Sequence, residues 1–205
     1  ASKIVSYLGN IIVNGHNDIT GRNRDLSTTE VQVPISKKLL PQNNYVEDLK
    51  KMGSEKFTKK IKEIPYTLIT DTTMRDAHQS LLATRMRTDD IVNIAEYYSK
   101  NLSNLFSIEC WGGATFDTSM RFLKEDPWDR LAKLNSKAPN LLKQMLFRGS
   151  NAVGYKNYPD NVVKHFIQQS AKAGIDVFRV FDSLNLIENM RVAIDEVRSQ
   201  NKICE

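Results

Sequence analysis

Cysteine is scarce in this chain, with only Cys110 and Cys204 in 205 residues. That excludes a disulfide scaffold and points to a reducing compartment. No apolar run approaches the ~20 residues that span a bilayer, which excludes a membrane segment. The amino end, Ala1-Ser2-Lys3-Ile4, has neither a start methionine nor a signal-peptide pattern, so the chain is expected to begin inside a longer protein. Massed positive charge is also missing. The net charge is +5 and the pI about 9.1, yet the densest basic stretch, Lys50 to Lys62, is interleaved with Glu47, Asp48, Glu55 and Glu63 in the manner of a solvated helix face. No aromatic stacking pattern accompanies the charge, which argues against nucleic acid. No Gly-rich phosphate loop is present. The 40% hydrophobic content can supply a core, so disorder is not expected.

From Tyr66 onward, short apolar runs alternate with helical patterns. Strands are expected at Tyr66 to Thr70, Leu105 to Cys110, Leu142 to Phe147 and Asp176 to Phe181, with Ile203-Cys204 opening a fifth. Helices are expected where Ile91, Ile94, Ala95 and Tyr98 follow Thr88-Asp89-Asp90, and where Leu131 and Leu134 follow Asp126-Pro127-Trp128. Two more are expected where Val162, Val163, Phe166 and Ile167 follow Pro159-Asp160, and over Met190, Val192, Ala193 and Val197. Such a β-α series demands a parallel sheet with right-handed crossovers. The fold class is α/β, the amino-terminal half of a (β/α)8 TIM barrel, because about four β-α units fall short of the ~250 residues of a whole one. An open half barrel should expose two long parallel edges and be neither stable nor active alone. Residues 1–64 read as a linker and helical segment, and 65–205 as the partial barrel. Within the first part, Ile11-Ile12-Val13 precedes the turn signal Asn14-Gly15. A polar stretch follows from His16 to Glu30, and a helix runs from about Tyr45 to Glu63.

The run Asp71-Thr72-Thr73-Met74-Arg75-Asp76-Ala77-His78-Gln79-Ser80 sets acids, a guanidinium, an imidazole and an amide behind the first strand. Polar groups where strands end are read as an active-site edge; the alternative is a loop that caps a helix. Asp76, Asp117, Arg148 and Asp182 follow successive strands, about one β-α unit apart, and should rise from one face of the sheet. A carboxylate such as Asp76 can bind a divalent ion or cap a helix. Arginines can grip a carboxylate through two parallel hydrogen bonds or form surface ion pairs. His78 is followed by no second histidine at metal spacing and is better read as structural. Trp111, Phe116 and Trp128 read as packing, and Asp182 receives no specific role.

Beyond the run just quoted, Leu81-Leu82-Ala83-Thr84-Arg85, Trp111-Gly112-Gly113-Ala114-Thr115-Phe116-Asp117 and Arg121-Phe122-Leu123-Lys124-Glu125-Asp126-Pro127-Trp128 recur in one family. So do Arg148-Gly149-Ser150-Asn151-Ala152-Val153-Gly154-Tyr155, Asn157-Tyr158-Pro159-Asp160-Asn161 and Phe178-Arg179-Val180-Phe181-Asp182-Ser183-Leu184-Asn185. From about residue 65 the sequence resembles the carboxyltransferase domain of biotin-dependent pyruvate carboxylases; the earlier segment resembles what precedes that domain, more loosely. Oxaloacetate decarboxylase and transcarboxylase subunits share the barrel and stand as the alternative, but Ala77, Ser150-Asn151-Ala152-Val153 and Ser183 favour the carboxylase.

The resemblance implies carboxyl transfer from carboxybiotin to pyruvate, giving oxaloacetate. It implies that Asp76 binds a divalent metal (Mn, Zn or similar), whose other ligands, a carbamylated lysine and a His-x-His pair, match nothing in this chain. Arg148 and Gln79 would contact pyruvate and Arg75 would support the same substrate pocket. Asp117 would fix Arg148 near the entering biotin, and Tyr155 would donate to the developing enolate. A threonine on a later strand would relay the methyl proton. Biotin on its carrier domain, and a biotin carboxylase region using ATP and Mg, would lie elsewhere in a homo-oligomeric enzyme of a bacterial cytoplasm or mitochondrial matrix. No Ala-Met-Lys-Met biotin site occurs here.

Overall fold

The computed structural model describes residues 2–14 and 43–205. Helix α1 (Lys3–Asn14) belongs to one unit, Ala1–Val33, and everything else described belongs to a second, Pro34–Glu205. The run Ile11-Ile12-Val13 lies inside α1; the polar stretch His16 to Glu30 lies outside the described residues. No described helix is long and apolar enough to cross a membrane.

In the second unit, five parallel strands lie side by side in sequence order: β1 (Thr70–Asp71), β2 (Ser107–Trp111), β3 (Leu142–Phe147), β4 (Val177–Val180) and β5 (Ile203–Cys204). Every right-handed crossover therefore steps the same way. That puts the connecting helices on one face, as in half a (β/α)8 barrel. Those helices are α3 (His78–Leu81), α4 (Thr88–Asn101), α5 (Gly113–Thr118), α6 (Pro127–Lys137), α7 (Asp160–Ala173) and α8 (Ile187–Ser199). Helix α6 starts as its sequence dictates, with the Asp126 carboxylate accepting from Trp128 N at 2.8 Å and Pro127 in the first turn. Helix α7 ends on Gly174 at φ 110, a left-handed cap.

One expectation needs correction at the sheet edge. The first strand spans Thr70–Asp71 and not Tyr66 to Thr70, because Tyr66 and Ile69 are each 61% exposed and pairing with β2 begins at Thr70. At the β1 edge only two residues, Thr70 and Asp71, form the strand.

Strand alternation divides the side chains. Ile108, Cys110, Met145, Phe147 and Phe178 face the helices and join Ile91, Leu131, Leu134, Ile167 and Val197 in the larger core. A β-bulge between Glu109 and Trp111 turns Trp111 into this layer as well. There it meets Phe116 and Trp128 edge-on and donates from its indole to Pro127 O at 3.1 Å, so these aromatics pack as expected. Burial pushes the Cys110 thiol up to about 12, leaving it inert.

The opposite, inward face carries two layers. At the strand beginnings, Leu142 and Val177 cluster with Leu68, Phe106 and Ile203 against Tyr45, Val46, Leu49 and Phe57 of helix α2 (Tyr45–Lys62). Helix α2 thus closes the amino-terminal mouth of the half barrel. Its Lys51–Glu47 and Lys59–Glu55 pairs lie on the solvent side. Each side chain fully buried here contributes about 1.5–3 kcal/mol. Further along the strands the inward face turns polar, with Thr70 level with Ser107, Glu109 level with Gln144, and Arg179 one step on beside Leu146.

One buried cation sits on the helix side. Lys143 donates to Ala138 O and, at 2.7 Å, to Leu141 O. Burial pulls its ammonium down from 10.5 to about 8, against the opposing pull of Asp176. Between those values the unfolded chain holds a proton that the folded protein has released, so this group adds stability as pH rises from 8 to 10. Cys110 acts oppositely above pH 9, its raised pKa removing stability with rising pH. Denaturant titrations at pH 7, 8, 9 and 10 should isolate the lysine: the advantage of wild type over Lys143→Met widens with pH.

Candidate active site

The polar groups gather where β1, β2 and β3 end. After β1 the chain winds through a wide helical turn, Thr73–Ala77, into α3. Asp71 starts this turn by accepting from Thr73 N at 3.0 Å and its hydroxyl at 3.1 Å, a capping role. His78 is buried, with Nε2 2.8 Å from Met74 O, and burial lowers its pKa so that the ring is neutral. Both residues serve the turn itself.

The turn aims Arg75 inward and leaves Asp76 and Gln79 at the rim. Arg75 is 5% exposed, and its guanidinium faces two ways. Nε donates to Glu109 Oε1 at 2.5 Å, while Nη1 donates to Asp76 Oδ1 at 2.9 Å and to Gln79 Oε1 at 3.5 Å. With its carbonyl turned to Arg75, Gln79 has its NH2 left to donate outward. Arg75 itself is taken up by protein partners.

After β2 come Gly112 and Gly113, each with an arginine packed against it, Gly113 the more tightly. A Cβ on Gly112 would stand 3.3 Å from Arg75 Cδ; one on Gly113 would stand 2.9 Å from Arg148 Cζ and 2.9 Å from Val153 O. The adjoining glycines therefore let the aliphatic stem of Arg75 and the guanidinium of Arg148 approach the same stretch of backbone. Arg148, at the end of β3, donates to Gly154 O at 3.2 Å, and its guanidinium carbon lies 5.4 Å from the Tyr155 ring centre. Asp117 does not hold Arg148 here. Its carboxylate takes Arg121 Nη2 at 2.9 Å and the Tyr155 hydroxyl at 3.3 Å. Arg121 lies one helical turn on and reaches the carboxylate first. Tyr155 is 68% exposed, so this pair stands on an open rim. Asp182, after β4, accepts from Leu184 N at 2.9 Å and Leu186 N at 3.2 Å, which lowers its pKa and makes it a loop cap.

Glu109, Gln144 and Arg179 received no role from the sequence, although they make the densest polar cluster. Their signal was present: charged residues inside runs otherwise apolar enough to be buried must be paired.

The metal expectation can be tested against the donors in place. Among the described residues no three His, Cys, Asp or Glu side chains gather to hold an ion. Asp76, half-exposed and paired through one oxygen with Arg75, offers one hard ligand.

No protein-family model matches the chain. Pyruvate carboxylase of Bacillus subtilis is 49% identical to it over 204 residues, covering 100% of this chain and 18% of that protein. The solved carboxyltransferase domain of Rhizobium etli pyruvate carboxylase with pyruvate and biocytin is 58% identical with a TM-score of 0.78, over 84% of this chain and 29% of that one. The chain is homologous to part of the carboxyltransferase region of pyruvate carboxylase. It spans under a fifth of the curated pyruvate carboxylases it matches. These also include the human mitochondrial enzyme, 47% identical over 205 residues and covered to 17%, so bacterial and mitochondrial pyruvate carboxylases are both homologues.

Proposed function

We propose that the chain supplies the first β-α units of a carboxyltransferase barrel in which a carboxyl group passes from carboxybiotin to pyruvate, giving oxaloacetate. The observation that carries this reading is the pair of glycines that brings Arg75 and Arg148 to one strand edge beside Gln79. Pyruvate presents a carboxylate next to a ketone. A guanidinium fork matches the first and an amide donor the second, so Arg148 would hold the carboxylate and Gln79 the keto oxygen. As the methyl proton leaves, negative charge grows on that oxygen, and fixed donors there lower the barrier. Tyr155, whose hydroxyl donates to Asp117 in this structure, would add a further donor from the rim by turning that proton from Asp117 to the substrate oxygen.

Carboxybiotin would supply the carboxyl group, and the exposed Tyr155 edge fits a group that enters from outside and leaves again. Biotin on its carrier, a biotin carboxylase region using ATP and Mg, and homo-oligomeric assembly belong to the whole enzyme under this reading. Asp76 would give one ligand to a divalent ion completed from elsewhere in the barrel. Glu109, Asp76 and Asp117 are each paired with an arginine, and none is assigned the methyl proton. Calorimetric titration of the full-length protein with pyruvate, without ATP, tests the substrate class. Saturable binding is expected, and its absence would overturn the assignment.

A further inference from the structure

We infer that Glu109 is a positioning residue for this reaction, a buried anchor that sets Asp76 and Gln79 through Arg75; the inference rests on the function proposed above. Glu109 is 0% exposed and points from β2 into the barrel interior. Its Oε1 accepts from Arg75 Nε at 2.5 Å and Arg179 Nη2 at 2.8 Å, and its Oε2 from Arg179 Nε at 2.8 Å and Gln144 Nε2 at 3.1 Å. Both oxygens are thus fully used, so it neither touches substrate nor accepts a proton in turnover. Gln144 Oε1 in turn accepts from Ser107 Oγ at 2.8 Å, and Ser107 lies 2.7 Å from Thr70 Oγ1. One polar chain therefore ties β1, β2, β3 and β4 together directly beneath the candidate substrate groups.

The consequence follows from Arg75. Its Nε edge is pinned on Glu109, and this fixes the plane in which Nη1 meets Asp76 Oδ1 and Gln79 Oε1. If the anchor withdraws, Arg75 can follow it or rotate, and in either case the Gln79 amide loses its orientation. A carboxylate one methylene shorter keeps the charge balance of the buried cluster while retracting the acceptor by about one carbon–carbon bond, and errors of about 1 Å can cost ~10²-fold in rate.

The experiment uses the full-length enzyme with Glu109→Asp, Glu109→Gln and Arg148→Ala, each followed by thermal unfolding and by kcat and KM for pyruvate. A structural control is Glu125→Asp, in the part-buried Glu125–Arg130–Thr88 cluster that joins the starts of α4 and α6 and shares no hydrogen bond with Arg75, Gln79 or Arg148. Glu109→Asp is expected to fold and to lower kcat by about 10²-fold, whereas Glu125→Asp shifts only the unfolding temperature. A folded Glu109→Asp with wild-type kcat and KM would overturn the inference. If Arg148→Ala also left pyruvate kinetics unchanged, the proposed function itself would fall; if Arg148→Ala alone were impaired, only the anchor role would. Should neither Glu109 variant fold, Gln144→Leu removes one bond to Oε2 without stranding a charge. A rise in pyruvate KM of several fold is then expected, and an unchanged KM overturns the inference.

Discussion

Arg148→Ala in the full-length protein is expected to lower kcat/KM for pyruvate by about 10²-fold or more, because the substrate carboxylate loses the guanidinium that holds it in reacting position. Within the protein, Arg148 makes one side-chain hydrogen bond, to Gly154 O, and a stacking contact with the exposed Tyr155. Neither holds the core together, so the unfolding temperature should change little. The deficit should appear in steady-state kinetics with pyruvate varied. ATP cleavage driven by bicarbonate alone, assigned to another region, should continue. An arginine serving only as a surface ion pair would give less than a tenfold change.

Gly113→Ala should be nearly as damaging, and for a steric reason. The added Cβ would lie 2.9 Å from Arg148 Cζ and 2.9 Å from Val153 O. The guanidinium could swing away, but the carbonyl cannot yield readily, because its loop is closed by Gly154 N to Asn151 O at 2.7 Å, Arg148 N to Ala152 O at 3.0 Å and Tyr158 N to Ser150 O at 2.8 Å. Relief must displace Arg148 or the loop that carries Tyr155. Turnover is expected to fall about 10²-fold, with a stability loss of about 1–3 kcal/mol from overpacking. Gly112→Ala is the matched comparison: its Cβ meets Arg75 Cδ at 3.3 Å, a methylene able to shift, and it should cost markedly less. Parallel measurement of pyruvate kinetics and denaturant midpoints separates the two effects.

The barrel half was legible because its signals are local. Asp126-Pro127 starts a helix wherever it stands, Gly174 ends one, and the apolar spacing along Asp160–Ala173 selects the face that packs on β3 and β4. The short β1 was misread because propensity takes no account of a missing neighbour: Tyr66 and Ile69 have strand character but lie exposed at the sheet edge. Helix α2 was recognised as a helix, while its role at the strand beginnings depends on contacts from Phe57 and Leu49 to Leu142 and Val177, which no local pattern encodes.

The site divided along the same line. Arg75, Asp76 and Gln79 are neighbours in sequence and remain so in space. Glu109 and Arg179 lie far apart in the chain and meet only across the barrel interior. Asp117 pairs in this structure with Arg121, one helical turn on, a nearer neighbour in the chain than Arg148.

The central claim concerns direction as well as substrate, since decarboxylase and transcarboxylase subunits share the barrel pattern. The deciding measurement is incorporation of labelled bicarbonate into oxaloacetate by the full-length protein supplied with ATP and pyruvate. The account predicts ATP-dependent label in oxaloacetate that disappears when pyruvate is omitted. Decarboxylation of oxaloacetate without any ATP-dependent incorporation of label would contradict it.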